Sequence, residues 1–308
     1  MPETFRVLQP GILTTIQDAG RPSAVPSGVP TGGAMDRFAH MAANVIVGND
    51  RGAAALECTM TGPRLVALRD CVIAVTGGDL GPSVPMWTAI ALVAGDELSF
   101  AGRRSGARAY VAVAGGVIGD RWLGSMSTNL MCARGGMHGR ALATGDVVSA
   151  GELPYPIDRA EPGFTLDATL RPDYSNHTLR LIPGPHFERL TEEARRELWG
   201  ETFSIDPSSN RMGYRLDGPT LDAPGDELLS FALVTGAIQL PAGGRPILLM
   251  ADHQTAGGYP VIATVAGASM PSAAQLAPGD ELRFVETSIE DALAARAAQR
   301  AALESLTG

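Results

Sequence analysis

The chain has 308 residues, of which 45% are hydrophobic and 19% charged, with a formal net charge of −9. That is enough apolar mass to bury the cores of two domains, and the acidic balance with scattered arginines argues against nucleic-acid backbones and anionic membranes as partners. All 24 basic residues are arginine, which excludes Schiff-base chemistry, a Walker-type phosphate lysine, a Ser-Lys nucleophile pair and covalent attachment of biotin or lipoyl to this chain.

In chain order, Phe5 to Leu8 and Leu13 to Ile16 read as short strands around Pro10-Gly11. Residues 22–33 are dense in Gly and Pro and predict a long shaped loop without regular structure. Asp36 then opens a helix as its cap, with Phe38, Met41, Ala42, Val45 and Ile46 on one face and Gly48-Asn49 closing it. Short strands follow at Ala54 to Thr59, Leu65 to Leu68, Cys71 to Thr76, Ala89 to Val93, Glu97 to Phe100, Ala107 to Ala114 and Val147 to Ser149, a spacing that predicts an antiparallel barrel or sandwich. The glycine-rich stretches 77–81 and 115–119 do not fit G-x-G-x-x-G opening a helix, and read as turns.

The proline-rich segment 152–176 predicts an interdomain connection. Beyond it come a strand at Leu179 to Ile182 and one helix through Phe187, Leu190, Ala194 and Leu198, ending near Gly200. Thr61-Gly62-Pro63-Arg64-Leu65 is echoed by Asp217-Gly218-Pro219-Thr220-Leu221, and Ala94-Gly95-Asp96-Glu97-Leu98 by Pro278-Gly279-Asp280-Glu281-Leu282, which suggests two related barrels. Ser288 and Asp291, in capping-box-like spacing, precede a C-terminal helix whose Ile289, Leu293, Ala297, Leu303 and Leu306 are expected to pack on a barrel or a partner. The expected organisation is mainly β, in two domains, 1–160 and 161–308, with a few short helices and a C-terminal helix.

Cys58, Cys71 and Cys132 make no C-x-x-C pair, so neither a disulfide framework nor a zinc site is expected, and a reducing cytoplasm fits. The opening MPETFRVLQPG lacks the signal-peptide pattern, and no apolar run approaches the roughly 20 residues of a membrane span. The five histidines lie too far apart in sequence to define a metal site, and none is predicted.

Chemistry concentrates at Leu248 to Pro260, LLMADHQTAGGYP, where an apolar strand delivers Asp252, His253, Gln254 and Thr255 to a Gly257-Gly258 turn ending at Tyr259. With Gln17-Asp18, Arg21, Asp36-Arg37, Asn210-Arg211 and Gln239 this makes a set suited to a carboxylated amide: arginine forks take carboxylates, and Gln or Asn amides satisfy both C=O and N–H. The same residues also suit turn caps and surface ion pairs, and spacing alone does not separate the two readings.

The phrases VLQPGILTTIQDAGRP (7–22), GVPTGGAMDRF (28–38), NVIVGNDRGAAALE (44–57), RMGYRL (211–216), GAIQLP (236–241) and ADHQTAGGYP (251–260) resemble the family called allophanate hydrolase subunit 2. It is also described as KipA-like or biotin-dependent carboxyltransferase, and includes the C-type component of ATP-dependent 5-oxoprolinase. The resemblance implies two cyclophilin-like β-barrel domains, a companion subunit 1 or KipI-like chain, and in 5-oxoprolinase an A-type subunit as well. Those three chains together open the 5-oxoproline lactam to glutamate, with ATP used at the level of the complex. Carried onto this chain, it implies catalytic Asp252, Gln254 and Thr255, with Arg211, Gln239, Gly257, Gly258, Tyr259, Asp36 and Arg21 binding a small amide or lactam. Alternatives in the same family are a carboxyltransferase subunit served by a separate biotin carrier and a non-catalytic KipA-like regulatory binder. Two departures stand out: His253 where members often carry Arg, and Asn210 where they often carry Asp. True allophanate hydrolysis needs a lysine, so this chain alone cannot perform it.

Overall fold

The computed structural model describes residues 2–152, 165–225 and 228–305. About half of the proline-rich connection (153–164, with the expected 160/161 boundary) and Leu306 lie outside the described residues. The chain divides into two compact units: Met1–Arg21, Gly32–Pro172 and Arg300–Gly308 form one, and Pro22–Thr31 with Asp173–Gln299 form the other.

The first unit contains β1 (Glu3–Gln9), β2 (Leu13–Gln17), α1 (Arg37–Ile46), β3 (Ala55–Thr59), β4 (Arg64–Ala67), β5 (Cys71–Asp79), β6 (Ala89–Leu92), β7 (Glu97–Leu98), β8 (Ser105–Val113), β9 (Val117–Ile118) and β10 (Val147–Ala150). They pair as two five-stranded sheets, β7-β4-β1-β10-β9 and β2-β3-β8-β5-β6. Phe5, Val7, Leu65, Leu98 and Val148 from one sheet share a core with Ile16, Leu56, Ile73, Val75 and Val111 from the other. Strands β5 and β8 are buried along nearly their whole length because α1 packs on the face opposite that core, which is why they are mostly apolar without strict alternation. Asp36 caps α1 through Oδ1, accepting from Ala39 N at 2.9 Å.

The second unit holds β11 (Thr178–Pro183), α2 (Glu192–Gly200), β12 (Phe203–Ile205), β13 (Gly213–Asp217), β14 (Phe231–Ala232), β15 (Ala237–Gln239), β16 (Ile247–Leu249), β17 (Ala256–Gly257), β18 (Val261–Val265), α3 (Met270–Ala274) and β19 (Glu281–Glu286). Seven strands close a barrel in the order β11-β18-β15-β16-β13-β12-β19, and β14 with β17 forms a separate two-stranded ribbon. The long C-terminal helix α4 spans Ile289–Glu304. The molecule is thus mainly β with few helices, as expected. No described helix is long and apolar enough to cross a membrane.

The internal echo corresponds to a repeated turn, and the turn occurs a third time at Ala143–Asp146. At Val93–Asp96, Ala143–Asp146 and Ala277–Asp280 the aspartate Oδ2 accepts from the backbone N three residues earlier, at 2.8, 2.7 and 2.9 Å. The intervening Gly95, Gly145 and Gly279 sit at φ 97°, 91° and 86°, and each donates its N–H to a neighbouring strand or strand end at 2.8 Å (Ala67, Val7 and Ile205 O). A left-handed residue there and an Asx-type bond explain the recurring Gly-Asp pair.

Four local expectations give way. Gly77-Gly78-Asp79 continues β5 instead of turning: Gly77, at φ 89°, lies where a Cβ would stand 2.5 Å from Arg108 O, and the register shifts there as in a β-bulge. Part of the 22–33 loop is regular, a 3-10 helix at Pro22–Ser27, because Pro22 and Pro26 fix φ in the range that turn needs. The single helix expected over 187–200 is two, a 3-10 turn at Phe187–Arg189 and α2, since Thr191 caps the second by accepting from Ala194 N at 3.2 Å. In α4 the capping pair forms, Ser288 Oγ accepting from Asp291 N at 3.0 Å, yet Ile289 and Leu293 are exposed while Ala292, Ala302 and Leu303 are buried. An alanine-rich helix has apolar residues on every face, so its periodicity marks the packed side poorly.

Candidate functional site

In the second unit, β13 and β16 pair antiparallel with Gly213 opposite Leu249, and this brings the segments flanking them, 210–212 and 250–253, side by side. Met250 N donates to Met212 O at 3.0 Å and Asp252 N to Arg211 O at 2.9 Å. The side chains repeat the pairing: Arg211 Nε donates to Asp252 Oδ2 at 2.8 Å and Nη2 to Oδ1 at 3.3 Å, with both residues 7% exposed. A two-point guanidinium-carboxylate contact in a water-poor place fixes both planes. Asp252 therefore engages an arginine 41 residues away and not the backbone of its own turn.

His253, also buried, places Nδ1 2.6 Å from Gln254 O, and desolvation lowers its pKa from 6.5 against the opposing pull of that carbonyl and of Asp252. Beside it Gln254 Nε2 donates to Gln239 Oε1 at 3.0 Å. Gln239, on β15, is 1% exposed, and its Nε2 has no hydrogen-bond partner among the described residues. A buried amide N–H without an acceptor costs free energy unless something completes it. Gly257 lies over this pair, where a Cβ would stand 3.1 Å from Gln239 Nε2 and 3.6 Å from Gln254 Nε2. At Gly258 a Cβ would meet Leu228 O at 2.8 Å, so both glycines permit a close backbone approach. Thr255 contributes its carbonyl, accepting from Leu233 N at 2.9 Å in the β14-β17 ribbon. Tyr259 is half exposed and lines, with Gly258, Pro260, Arg189, Leu228 and Leu240, a cleft of about 370 Å³.

The remaining two sequence candidates, Arg21 and Asp36, belong to the first unit and sit in a buried polar network. Asp36 N donates to Tyr110 Oη at 2.7 Å, and Tyr110 Oη donates to Glu57 Oε2 at 2.9 Å, which also accepts from Met35 N at 2.9 Å. Burial and the Glu57 charge push the Tyr110 phenol well above its usual pKa of 10.0. Arg21, 1% exposed, bonds Ser127 O through Nη2 and lies 4.9 Å over the Trp122 ring. Asp18 accepts from Gly20 N, Ser125 Oγ, Ser127 Oγ and Met126 N at 2.6–2.7 Å.

Sequence reasoning missed Glu57, Tyr110, His40, Ser125 and Ser127. The available signal was polarity out of place: Glu57 and Tyr110 each interrupt an apolar strand, and His40 falls on the inner side of α1, where burial lowers its pKa from 6.5. Among the described residues no group of three His, Cys, Asp or Glu converges to hold a metal ion.

Fold and site together define a two-unit, mainly β protein with a buried ion pair and a hydrogen-bonded glutamine pair at the ends of its barrel strands. The family described as "Carboxyltransferase domain, subdomain A and B" matches residues 27–286, and this chain belongs to it. It is 36% identical to the C subunit of the 5-oxoprolinase of Escherichia coli over 98% of this chain and 97% of that protein. It is 33% identical to the protein of the same name from Haemophilus influenzae, over 90% and 89%. The crystal structure of Kluyveromyces lactis urea carboxylase superposes with a TM-score of 0.91 at 32% identity, over 99% of this chain and 29% of that one.

Proposed function

We propose that this chain is the C-type component of a multi-chain, ATP-dependent 5-oxoprolinase-like enzyme of the cytoplasm, opening a small cyclic amide together with a subunit 1 (KipI-like) chain and an A-type subunit. The observation that carries this reading is the amide pair Gln239–Gln254, one of whose N–H groups is buried and unpartnered beneath the Gly257-Gly258 turn. A lactam presents one C=O and one N–H in a fixed cis arrangement, which is the pattern that Gln amides can complete. End-to-end similarity to proteins named as the C subunit of 5-oxoprolinase supports the choice of substrate class.

In this reading Gln239 and Gln254 bind the amide, with Thr255, Gly257, Gly258 and Tyr259 shaping the recess. Asp252 acts first by positioning Arg211, since both carboxylate oxygens already face that guanidinium. ATP would be handled by another chain: there is no lysine in the sequence, and Gly77-Gly78 lies inside β5 instead of opening a helix. Co-expression with the companion chains, followed by an assay of ATP-dependent glutamate release from 5-oxoproline, tests the proposal. Release that needs all three chains is expected, and none from a well-assembled complex would overturn it.

The near-complete superposition on part of urea carboxylase favours a second reading, a carboxyltransferase component. Without lysine the chain cannot carry biotin covalently, so the ureido group would arrive on a separate carrier, with the same Gln amides able to meet its C=O and N–H groups. Avidin would then abolish turnover, whereas the 5-oxoprolinase reading predicts insensitivity.

A further inference from the structure

Between β9 and β10 the first unit makes a long excursion that the function proposed above leaves unused. Its tip encloses a cleft of about 570 Å³ lined by Asp120, Arg121, Trp122, Arg134 and His138, with Gly135 and Gly139 in its wall. In a chain of net charge −9 this cleft gathers two guanidinium groups against one carboxylate. That carboxylate is already engaged: Asp120 Oδ2 lies 2.8 Å from His138 Nδ1. Arg121 makes one bond through Nη1, to Gly124 O at 3.0 Å, and the exposed Arg134 makes no side-chain hydrogen bond among the described residues. Behind Trp122, the buried guanidinium of Arg21 adds a third positive charge at 4.9 Å from the ring centre.

The backbone that carries these groups is held in a costly shape. Three of the five described non-glycine residues at positive φ fall here, Leu123 at 50°, Ala133 at 49° and His138 at 53°. The walls are also closely apposed, since a Cβ at Gly139 would stand 2.0 Å from Ala133 C and one at Gly135 2.4 Å from Ser127 O. Bridges Asp120–Gly136, Trp122–Ser125, Asn129–Arg134 and Met137–Arg140 tie the excursion to itself. Strained residues kept in place by surrounding structure cluster where groups must be pre-positioned, and pre-positioned arginines lose less entropy on binding.

We propose that this cleft is a binding site for a small oxyanion, a carboxylate or a phosphate, gripped by Arg121 and Arg134. Arginine forks match both anions with parallel N–H···O bonds. His138 is oriented by Asp120 through Nδ1, leaving Nε2 as the ring nitrogen available to an O–H or N–H next to the charged group. The cleft belongs to the first unit and the glutamine pair to the second.

Calorimetric titration of the full chain with inorganic phosphate, acetate and 5-oxoproline, alongside NMR observation of the Trp122 indole, tests it. At least one anion is expected to bind saturably and shift the Trp122 signal, with phosphate against the two carboxylates telling which source the cleft prefers. Arg134→Gln and Arg121→Gln should each weaken that binding about tenfold, the loss of one charge-assisted contact. Arg64→Gln, on a surface pair with Glu97, should leave it unchanged. No saturable binding by any of the three anions, or equal binding by both cleft variants and the parent chain, would overturn the assignment. Glutamate release by the assembled enzyme is a separate readout, so either proposal can fail without the other.

Discussion

The two units use the same Gly-Asp turn and very different interiors. The first spends its polar groups inward: Gln17, Asp18, Arg21, Asp36, His40, Asn44, Glu57 and Arg108 are all buried. Most of these serve to pin loops, as Tyr110 and Glu57 hold the start of α1 and Asp18 holds the 125–127 strip. The second unit keeps a closed, largely apolar barrel, and of its described buried polar side chains Arg211, Gln239, Asp252 and His253 belong to the candidate-site segments, while Gln275 and Thr287 lie elsewhere. Buried polar groups can thus either stabilise long irregular excursions, as in the paired sheets of the first unit, or gather at strand ends, as in the closed barrel of the second. In the first case removing a polar group should loosen structure, and in the second it should also disturb recognition.

The largest effect is expected at Arg211–Asp252. Replacing either partner alone with a similar-sized apolar residue should cost about 3–5 kcal/mol, because a desolvated charge is left behind, while replacing both should cost much less. Denaturant unfolding of Arg211→Met, Asp252→Leu and the double variant checks this. If the single and double costs simply add, the pair is not coupled and the contrast between the units weakens.

Next comes Tyr110→Phe in the first unit, which takes the phenol oxygen away from Asp36 N and one donor away from Glu57. A loss of roughly 1–3 kcal/mol should follow, read in the same experiment, with amide exchange accelerating at the start of α1. Unchanged exchange there would show that the network does not hold that loop.

A smaller effect concerns acid. Burial lowers the pKa of His40 and of His253, so just below 6.5 the unfolded chain binds more protons than the folded one. Their contribution to stability is complete above that pH and falls away as the solution is acidified through it. Unfolding free energy should therefore decline from pH 7 to pH 5, and His40→Gln should flatten that decline. An identical slope in the variant would remove His40 from the explanation.

What could be read from the sequence was what neighbours decide. Asp36 as a helix cap, the Ser288–Asp291 capping pair and nearly every strand of the first unit follow from side chains within a few residues of one another. Gly77 misled because its positive φ serves a bulge against Arg108, a strand away, where the same glycine in isolation means a turn. At the candidate site, ADHQTAGGYP, Arg211 and Gln239 could be singled out, but not which side chain meets which. Arg211 lies 41 residues from Asp252, Gln239 lies 15 from Gln254, and Glu57 lies 53 from Tyr110. Such pairings depend on strand register, which a periodicity of two does not encode across a barrel.

The most direct measurement is the KM for 5-oxoproline of this chain carrying Gln239→Leu, reconstituted with the two companion chains proposed above. The substitution removes the buried Nε2, which has no partner among the described residues, together with the Oε1 that accepts from Gln254; the exposed Gln254 amide can turn to water, so the fold should lose little. An intact assembly whose KM rises about tenfold or more is expected, the worth of one lost hydrogen bond to a buried group. An assembled variant with unchanged KM and kcat would contradict it, and would mean that the amide pair does not read the substrate.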